Sequence, residues 1–147
     1  MARNLNITLN WAGPWENPDD VPKRAGIYMV IAGSKAPNGK WSTPSYELLD
    51  IGQSGVTGVR LDTHSRKDCW SNKKATNKTI LFKFAAMPSE DYDETDRRIV
   101  ECCLRAHTKP PCGTECNEGY NREDRVVITN RGNNTPLKES YSCGPTA

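Results

Sequence analysis

The sequence predicts an α/β sandwich in which an antiparallel sheet packs against helices, with its elements in the order β-β-α-β-α. Three observations carry this expectation. Residues 25–32 (AGIYMVIA) and 46–52 (YELLDIG) are short runs of strand-forming residues with turn signals between them. Residues 80–87 (ILFKFAAM) make a third such run, closed by Pro88. From about Asp93 to Lys109 the period changes to a helical stripe of Ile99, Cys102, Cys103 and Ala106, widened by Val100.

Residues 5–11 (LNITLNW) alternate weakly, so residues 1–21 read as an N-terminal arm or an extra strand. Gly13-Pro14, Asn17-Pro18 and Asp19-Asp20 then break regular structure. The polar loop 33–44 holds the turn signal Asn38-Gly39 but exceeds a tight hairpin, leaving Trp41 to cap the hairpin or extend its second strand. Residues 52–58 form a turn in which Ser54 or Thr57 N-caps a helix through Val59, Arg60, Thr63 and His64, ending before Cys69-Trp70. Residues 71–79 are a basic polar loop.

The second helix is acidic at its start (Asp93, Glu94, Asp96) and basic at its end (Arg105, Lys109), which complements the helix dipole, and Pro110-Pro111 stops it. Beyond Cys116 the chain is polar, apart from residues 125–129 (RVVIT), a candidate edge strand. Residues 130–147 are rich in Asn, Gly and Ser and are expected to be poorly ordered. The 147 residues are read as one domain, with 117–147 a polar C-terminal extension.

No segment approaches the roughly 18 apolar residues of a membrane span, so no membrane partner is expected. The N-terminus lacks the apolar run of a secretory leader, which points to the cytoplasm. The net charge of +2 shows no strong basic excess, yet Arg60, Arg66, Lys67, Lys73, Lys74 and Lys78 lie close together in sequence. Such a run suits a phosphate backbone and equally suits a solvated face. Among the six cysteines, Cys112 and Cys116 form one loose CxxxC pair, and Cys102-Cys103 are neighbours on a helix. That spacing argues against zinc. A cytoplasmic chain argues against disulfides, so free thiols are expected.

Hydrolysing a phosphodiester needs an activated water, a proton acceptor, positive charge on the phosphate oxygens and help for the leaving oxygen. Tyr28 shares a strand face with Gly26 and Val30; its phenol, with a pKa of about 10, acts as a base only beside cations or a metal. A packed core tyrosine fits the same position. Arg60 and His64, four apart, would share a helix face able to clamp a phosphate, or would pair with ordinary surface partners. Glu101 lies at the polar margin of the second helix between Arg97 and Arg105, as either a surface ion pair or a carboxylate at a cleft edge.

Order and spacing go further than any single residue. Gly26-Ile27-Tyr28 on the first strand precedes Asp50-Ile51-Gly52 on the second and Arg60-x-x-x-His64 in the first helix. Glu101 then stands ahead of Lys109-Pro110-Pro111. Over residues 22–115 this resembles the GIY-YIG nuclease domain. The resemblance implies a three-stranded antiparallel sheet flanked by helices. It also implies Tyr28 as general base or water positioner, Arg60 on the transition-state phosphate and His64 in proton transfer or phosphate binding. Glu101 would hold one Mg²⁺ or Mn²⁺.

The chain departs from the pattern at two places. Asp50 replaces the family's second tyrosine, so a carboxylate would orient water, join Glu101 at the metal, or turn the site to binding. Gly113 stands where the family commonly has asparagine, unless Asn117 serves. The expected function is a metal-dependent endonuclease on double-stranded DNA, with Arg66, Lys67, Lys73, Lys74 and Lys109 on the backbone. Its specificity would come from loops 33–44 and 71–79, the tail or a partner, and the expected protein contacts are a partner or a homodimer. The alternatives are a non-catalytic nucleic-acid or protein interaction module and a zinc-stabilised binding protein using Cys112 and Cys116.

Overall fold

Strand β1 (Asn4–Trp15) sets the sheet. In the computed structural model, which describes residues 2–58, 60–116 and 123–145, it buries Ile7, Leu9 and Trp11 and exposes Asn6, Thr8 and Asn10. This two-residue period fixes which face meets the core. The strands that follow are β2 (Gly26–Gly33), β3 (Glu47–Ser54), β4 (Thr79–Ala86), β5 (Arg125–Gly132) and β6 (Ser140–Cys143). The sheet order is β3-β2-β4-β1-β5-β6, antiparallel throughout except for β1 beside β5, which run parallel from Asn4↔Arg125 to Trp11↔Gly132.

Helices α1 (Lys67–Lys73) and α2 (Glu94–Thr108) lie on opposite faces. Beneath α2, Ile99, Val100, Cys103 and Leu104 pack on Ile7, Leu9, Ile27, Met29, Ile51 and Val126. Asp93 caps α2: its carboxylate accepts from the Asp96 N–H while Asp96 reaches back to the Asp93 N–H, a reciprocal cap. On the other face Trp70 of α1 packs with Tyr28, Val30, Leu49, Leu61 and Phe82. Among the described residues no helix is long and apolar enough to cross a membrane.

The expected three-stranded sheet flanked by helices is therefore corrected to a six-stranded mixed sheet with two α-helices among the described residues. The cause lies at the termini. Both β1 and β5 bury only alternate residues, and their Asn, Thr and Arg positions lower the apolar content of what are interior strands. Residues 125–129 are not an edge strand, because β6 adds beyond them and carries part of the tail expected to be poorly ordered. The first helix also moves. The segment around Arg60 to His64 forms turns, and α1 contains Cys69 and Trp70 instead of ending before them. Gly58, at φ +79°, packs against the Lys23 backbone in a conformation that a right-handed helix does not pass through. The expected helical position of Val59 lies outside the described residues.

The cysteines are a further correction. Cys69–Cys112, Cys102–Cys116 and Cys103–Cys143 are disulfides, and none of the six is free. Adjacent Cys102 and Cys103 point to different sides of α2 and take different partners. The first ties the helix to the loop after it, and the second ties it to β6.

Candidate active site around Tyr28 and Asp50

On the β2–β3 ladder Tyr28 lies opposite Gly52 and Val30 opposite Asp50. Cross-strand partners share a face, so Tyr28 and Asp50 both point to the α1 side. The glycine is required there: a Cβ at residue 52 would overlap the Tyr28 phenol ring. Gly52 thus serves as the floor on which Tyr28 lies.

Asp50 is fully buried. Its Oδ2 accepts from Arg66 Nε at 2.6 Å and from Trp70 Nε1 at 2.8 Å. Its Oδ1 has no hydrogen-bond partner and faces Arg105 Nη2 at 3.7 Å. Arg105 Nε donates to the Ile51 carbonyl at 2.7 Å, and its Nη1 lies 3.4 Å from Glu101 Oε1. Arg105 therefore stands between the two carboxylates. Glu101 Oε2 accepts from the Gln53 backbone N–H at 2.6 Å. Arg97 is not Glu101's partner; it donates to Gln53 Oε1 and to the Tyr92 carbonyl. Gly113 closes the far side, where a Cβ would collide with Asp50 Oδ1 and Arg105 Nε. An asparagine at this position would not fit, and Asn117 lies outside the described residues.

Tyr28 is the second hub. Arg66 Nη2 donates to its hydroxyl at 2.8 Å, and His64 Nε2 lies 2.8 Å away. The backbone N–H of Arg66 donates to His64 Nδ1 at 3.0 Å. With Nδ1 accepting, the neutral ring carries its proton on Nε2, which donates to the phenol. The Tyr28 oxygen thus accepts from two donors. Burial pushes the Tyr28 phenol well above its ordinary range, and the Arg66 cation only partly offsets this. Burial, then the Arg66 charge, pulls His64 below 6.5. Tyr28 and His64 are accordingly both neutral near pH 7. Burial also raises Glu101 above the usual carboxylate range, opposed mainly by Arg105.

Of the residues expected at the site, Tyr28, Asp50, His64 and Glu101 converge. Arg60 does not: its side chain is 77% exposed and lies 3.6 Å from Asp62. Arg66 takes the inward position expected of Arg60, because the turn ending at His64 delivers its guanidinium between Tyr28 and Asp50. The sequence reading puts Arg66 only on the DNA backbone, names Arg105 only as an ion-pair neighbour of Glu101 and leaves out Trp70. The available signal was Arg66's place two residues after His64 and one before α1. Lys67, Lys73 and Lys109 are exposed and Lys74 is half-buried.

A divalent ion shared by Asp50 and Glu101 does not fit, since Arg105 occupies the space between them. Glu101 alone would offer an ion one carboxylate, with the Arg105 guanidinium 3.4 Å from its Oε1. Its side chain is 14% exposed, and each oxygen meets one protein donor or cation and keeps a lone pair. The chain matches no family model, no curated protein and no solved structure.

Proposed function

We propose that the chain is a metal-dependent endonuclease that hydrolyses DNA phosphodiester bonds at a GIY-YIG-type site. The observation that carries this reading is the hydrogen-bonded set of Tyr28, His64 and Arg66 built on the Gly26-Ile27-Tyr28 and Asp50-Ile51-Gly52 strand pair. Arg66 spends one N–H on Asp50 and one on Tyr28. Three of a guanidinium's five donors stay available for phosphate oxygens. Tyr28 offers its hydroxyl proton to a phosphate or leaving oxygen, and His64 holds the phenol in place. This differs from a tyrosine base, because a buried, neutral phenol does not take a proton readily at pH 7. Glu101 would hold Mg²⁺ or Mn²⁺, which when bound supplies Lewis-acid stabilisation of the leaving oxygen. Exposed Lys67, Lys73 and Lys109 would meet the flanking backbone.

The test is plasmid cleavage with Mg²⁺ or Mn²⁺. Arg66→Ala should lower the rate about 100- to 1,000-fold, as loss of a transition-state donor does. Arg60→Ala should stay within about twofold, being exposed and outside the cluster. Equal cutting by wild type and Glu101→Ala, or none on plasmid, single-stranded DNA or RNA, would sink the proposal.

One observation favours a second reading, a non-catalytic nucleic-acid-binding module: Tyr28 is only 2% exposed and Arg66 is already paired with Asp50. This reading predicts salt-sensitive DNA binding that needs no metal and survives Glu101→Ala. The three disulfides support an oxidising compartment rather than the cytoplasm under either reading.

A further inference from the structure

Away from the Tyr28 site, Cys103, His107 and Cys143 bring two sulfurs and an imidazole nitrogen within 4.8 Å of one another, the one such group of three ligating side chains among the described residues. Cys103 and His107 are four apart on α2 and so share a face, while β6 supplies Cys143. We propose that when the Cys103–Cys143 disulfide is reduced, these three residues become a zinc site with a fourth position open to water or an exogenous ligand.

Four features of the fold support it. The two cysteine Cα atoms are 5.8 Å apart. Two thiolates on one tetrahedral zinc stand only about 3.8 Å apart, a separation that side-chain rotation reaches from there. His107 Nε2–H donates to the Ser142 carbonyl at 2.8 Å, which leaves the lone pair on Nδ1. A backbone carbonyl is a common outer partner of zinc-bound histidines, where it fixes the tautomer. His107 and Ser142 also line an open cleft of ≈ 520 Å³ with Thr108 and Tyr141, giving an ion a way in. Finally, His107 is exposed and makes no ion pair among the described residues, whereas both cysteines are buried, so the ligands would stand at the boundary between core and cleft.

The chemistry balances with a dithiol reductant. The dithiol gives two electrons and two protons to the disulfide and closes to its own disulfide, leaving two thiols on the protein. Zinc then displaces both thiol protons as it binds. The oxidised chain holds neither thiolate and should not take the metal at this place. The same three residues would thus staple α2 to β6 covalently under oxidising conditions and through an ion under reducing ones. This proposal is independent of the nuclease reading.

The test uses the full chain, reduced with a phosphine under nitrogen and titrated with Co²⁺, followed by displacement with Zn²⁺. One equivalent should bind, with tetrahedral d–d bands and a sulfur-to-cobalt charge-transfer band. His107→Ala should weaken binding by at least tenfold, on the order of what lost zinc-site support costs. Cys143→Ser should remove part of the thiolate band, and the Cys102→Ser/Cys116→Ser pair should leave titration and spectrum unchanged. A reduced chain that takes up no cobalt, folded or not, overturns the proposal. So does uptake unaltered by His107→Ala, or equal uptake by the oxidised chain.

Discussion

Replacing Asp50 with asparagine tests whether the buried carboxylate holds the site together as a charge or only as a shape. Both strong donors, Arg66 Nε and Trp70 Nε1, converge on Oδ2, while Oδ1 lacks a hydrogen bond and faces Arg105 at 3.7 Å. An asparagine can put its carbonyl oxygen in the Oδ2 place and keep both donors. Its amide then falls where Oδ1 was, donor against the Arg105 guanidinium. Arg66 keeps its charge, so its bond to the amide stays charge-assisted, but the ion-pair attraction of a partly exposed guanidinium is lost, roughly 1 kcal/mol. Turning the Arg105 contact from attraction to repulsion at a fully buried position adds a similar amount. The total is about 2–3 kcal/mol, below the roughly 3–5 kcal/mol that follows outright removal of one partner of a buried pair.

The measurement is urea unfolding followed by tryptophan fluorescence with the disulfides intact, beside thermal melting. For a chain of this length 2–3 kcal/mol corresponds to a melting point lower by about 5–10 °C. The double variant Asp50→Asn/Arg66→Met should show coupling of at least about 0.5 kcal/mol. An Asp50→Asn protein within about 0.5 kcal/mol of wild type would refute the argument, because it would mean that Arg66 and Arg105 do not depend on the charge.

Three other expectations follow from the geometry. Gly52→Ala should force the Tyr28 ring off its seat, costing about 1–3 kcal/mol as overpacking does, and should reduce cleavage as much as Tyr28→Phe; unfolding and plasmid assays check both. Lys83, whose ammonium donates to the Thr135 carbonyl at 2.7 Å, is lowered by burial from 10.5 to about 8. The unfolded chain binds the extra proton between those values, so stability should rise from pH 8 to 10.5 and be lost again as pH falls; the rise should be absent from Lys83→Met in a pH series of urea unfolding. Cys69→Ser/Cys112→Ser opens a bridge spanning 43 residues of sequence, about 4 kcal/mol on the chain-entropy estimate. In the same variant the Arg66–Asp50 contact should loosen, seen as a drop in cleavage larger than that of Cys102→Ser/Cys116→Ser.

The sequence made legible those parts of the molecule whose residues are apolar in unbroken runs. Strands β2 and β4 are nearly all buried, and α2 has both a stripe and a capping box, so their patterns are strong. Strands β1 and β5 bury every second residue and fill the others with Asn, Thr and Arg, which reads as an arm and a tail until the two are paired. The convergence of Tyr28, Asp50 and Glu101 was legible because their places depend on strands and a helix that are themselves legible. The place of Arg66 beside Tyr28 was not legible, because a four-residue spacing pairs Arg60 with His64 only on a helix, and the chain there forms turns. The disulfides join residues 43, 14 and 40 apart, distances at which cysteine spacing alone carries no pairing information.

Asp50 changes more than one side chain of the strand pair. A phenol at this position would carry no charge, whereas the carboxylate gathers Arg66 directly and faces Arg105, and Arg105 in turn approaches Glu101. In the cluster Asp50 and Glu101 balance Arg66 and Arg105 when all four are ionised, and exposed Glu115 lies 3.9 Å from Arg105, so the cluster carries no net positive charge. Its centre therefore offers an incoming phosphate no net attraction beyond the unspent donors of Arg66. Long-range attraction for DNA would have to come from the exposed lysines around α1 and the end of α2, which are screened by salt. Binding and chemistry then respond to different residues: lysine substitutions should flatten the salt dependence of binding, whereas Arg66 and Tyr28 should govern the rate at saturating DNA. On the proposed nuclease reading, Glu101→Ala should then lower that rate and leave binding unchanged.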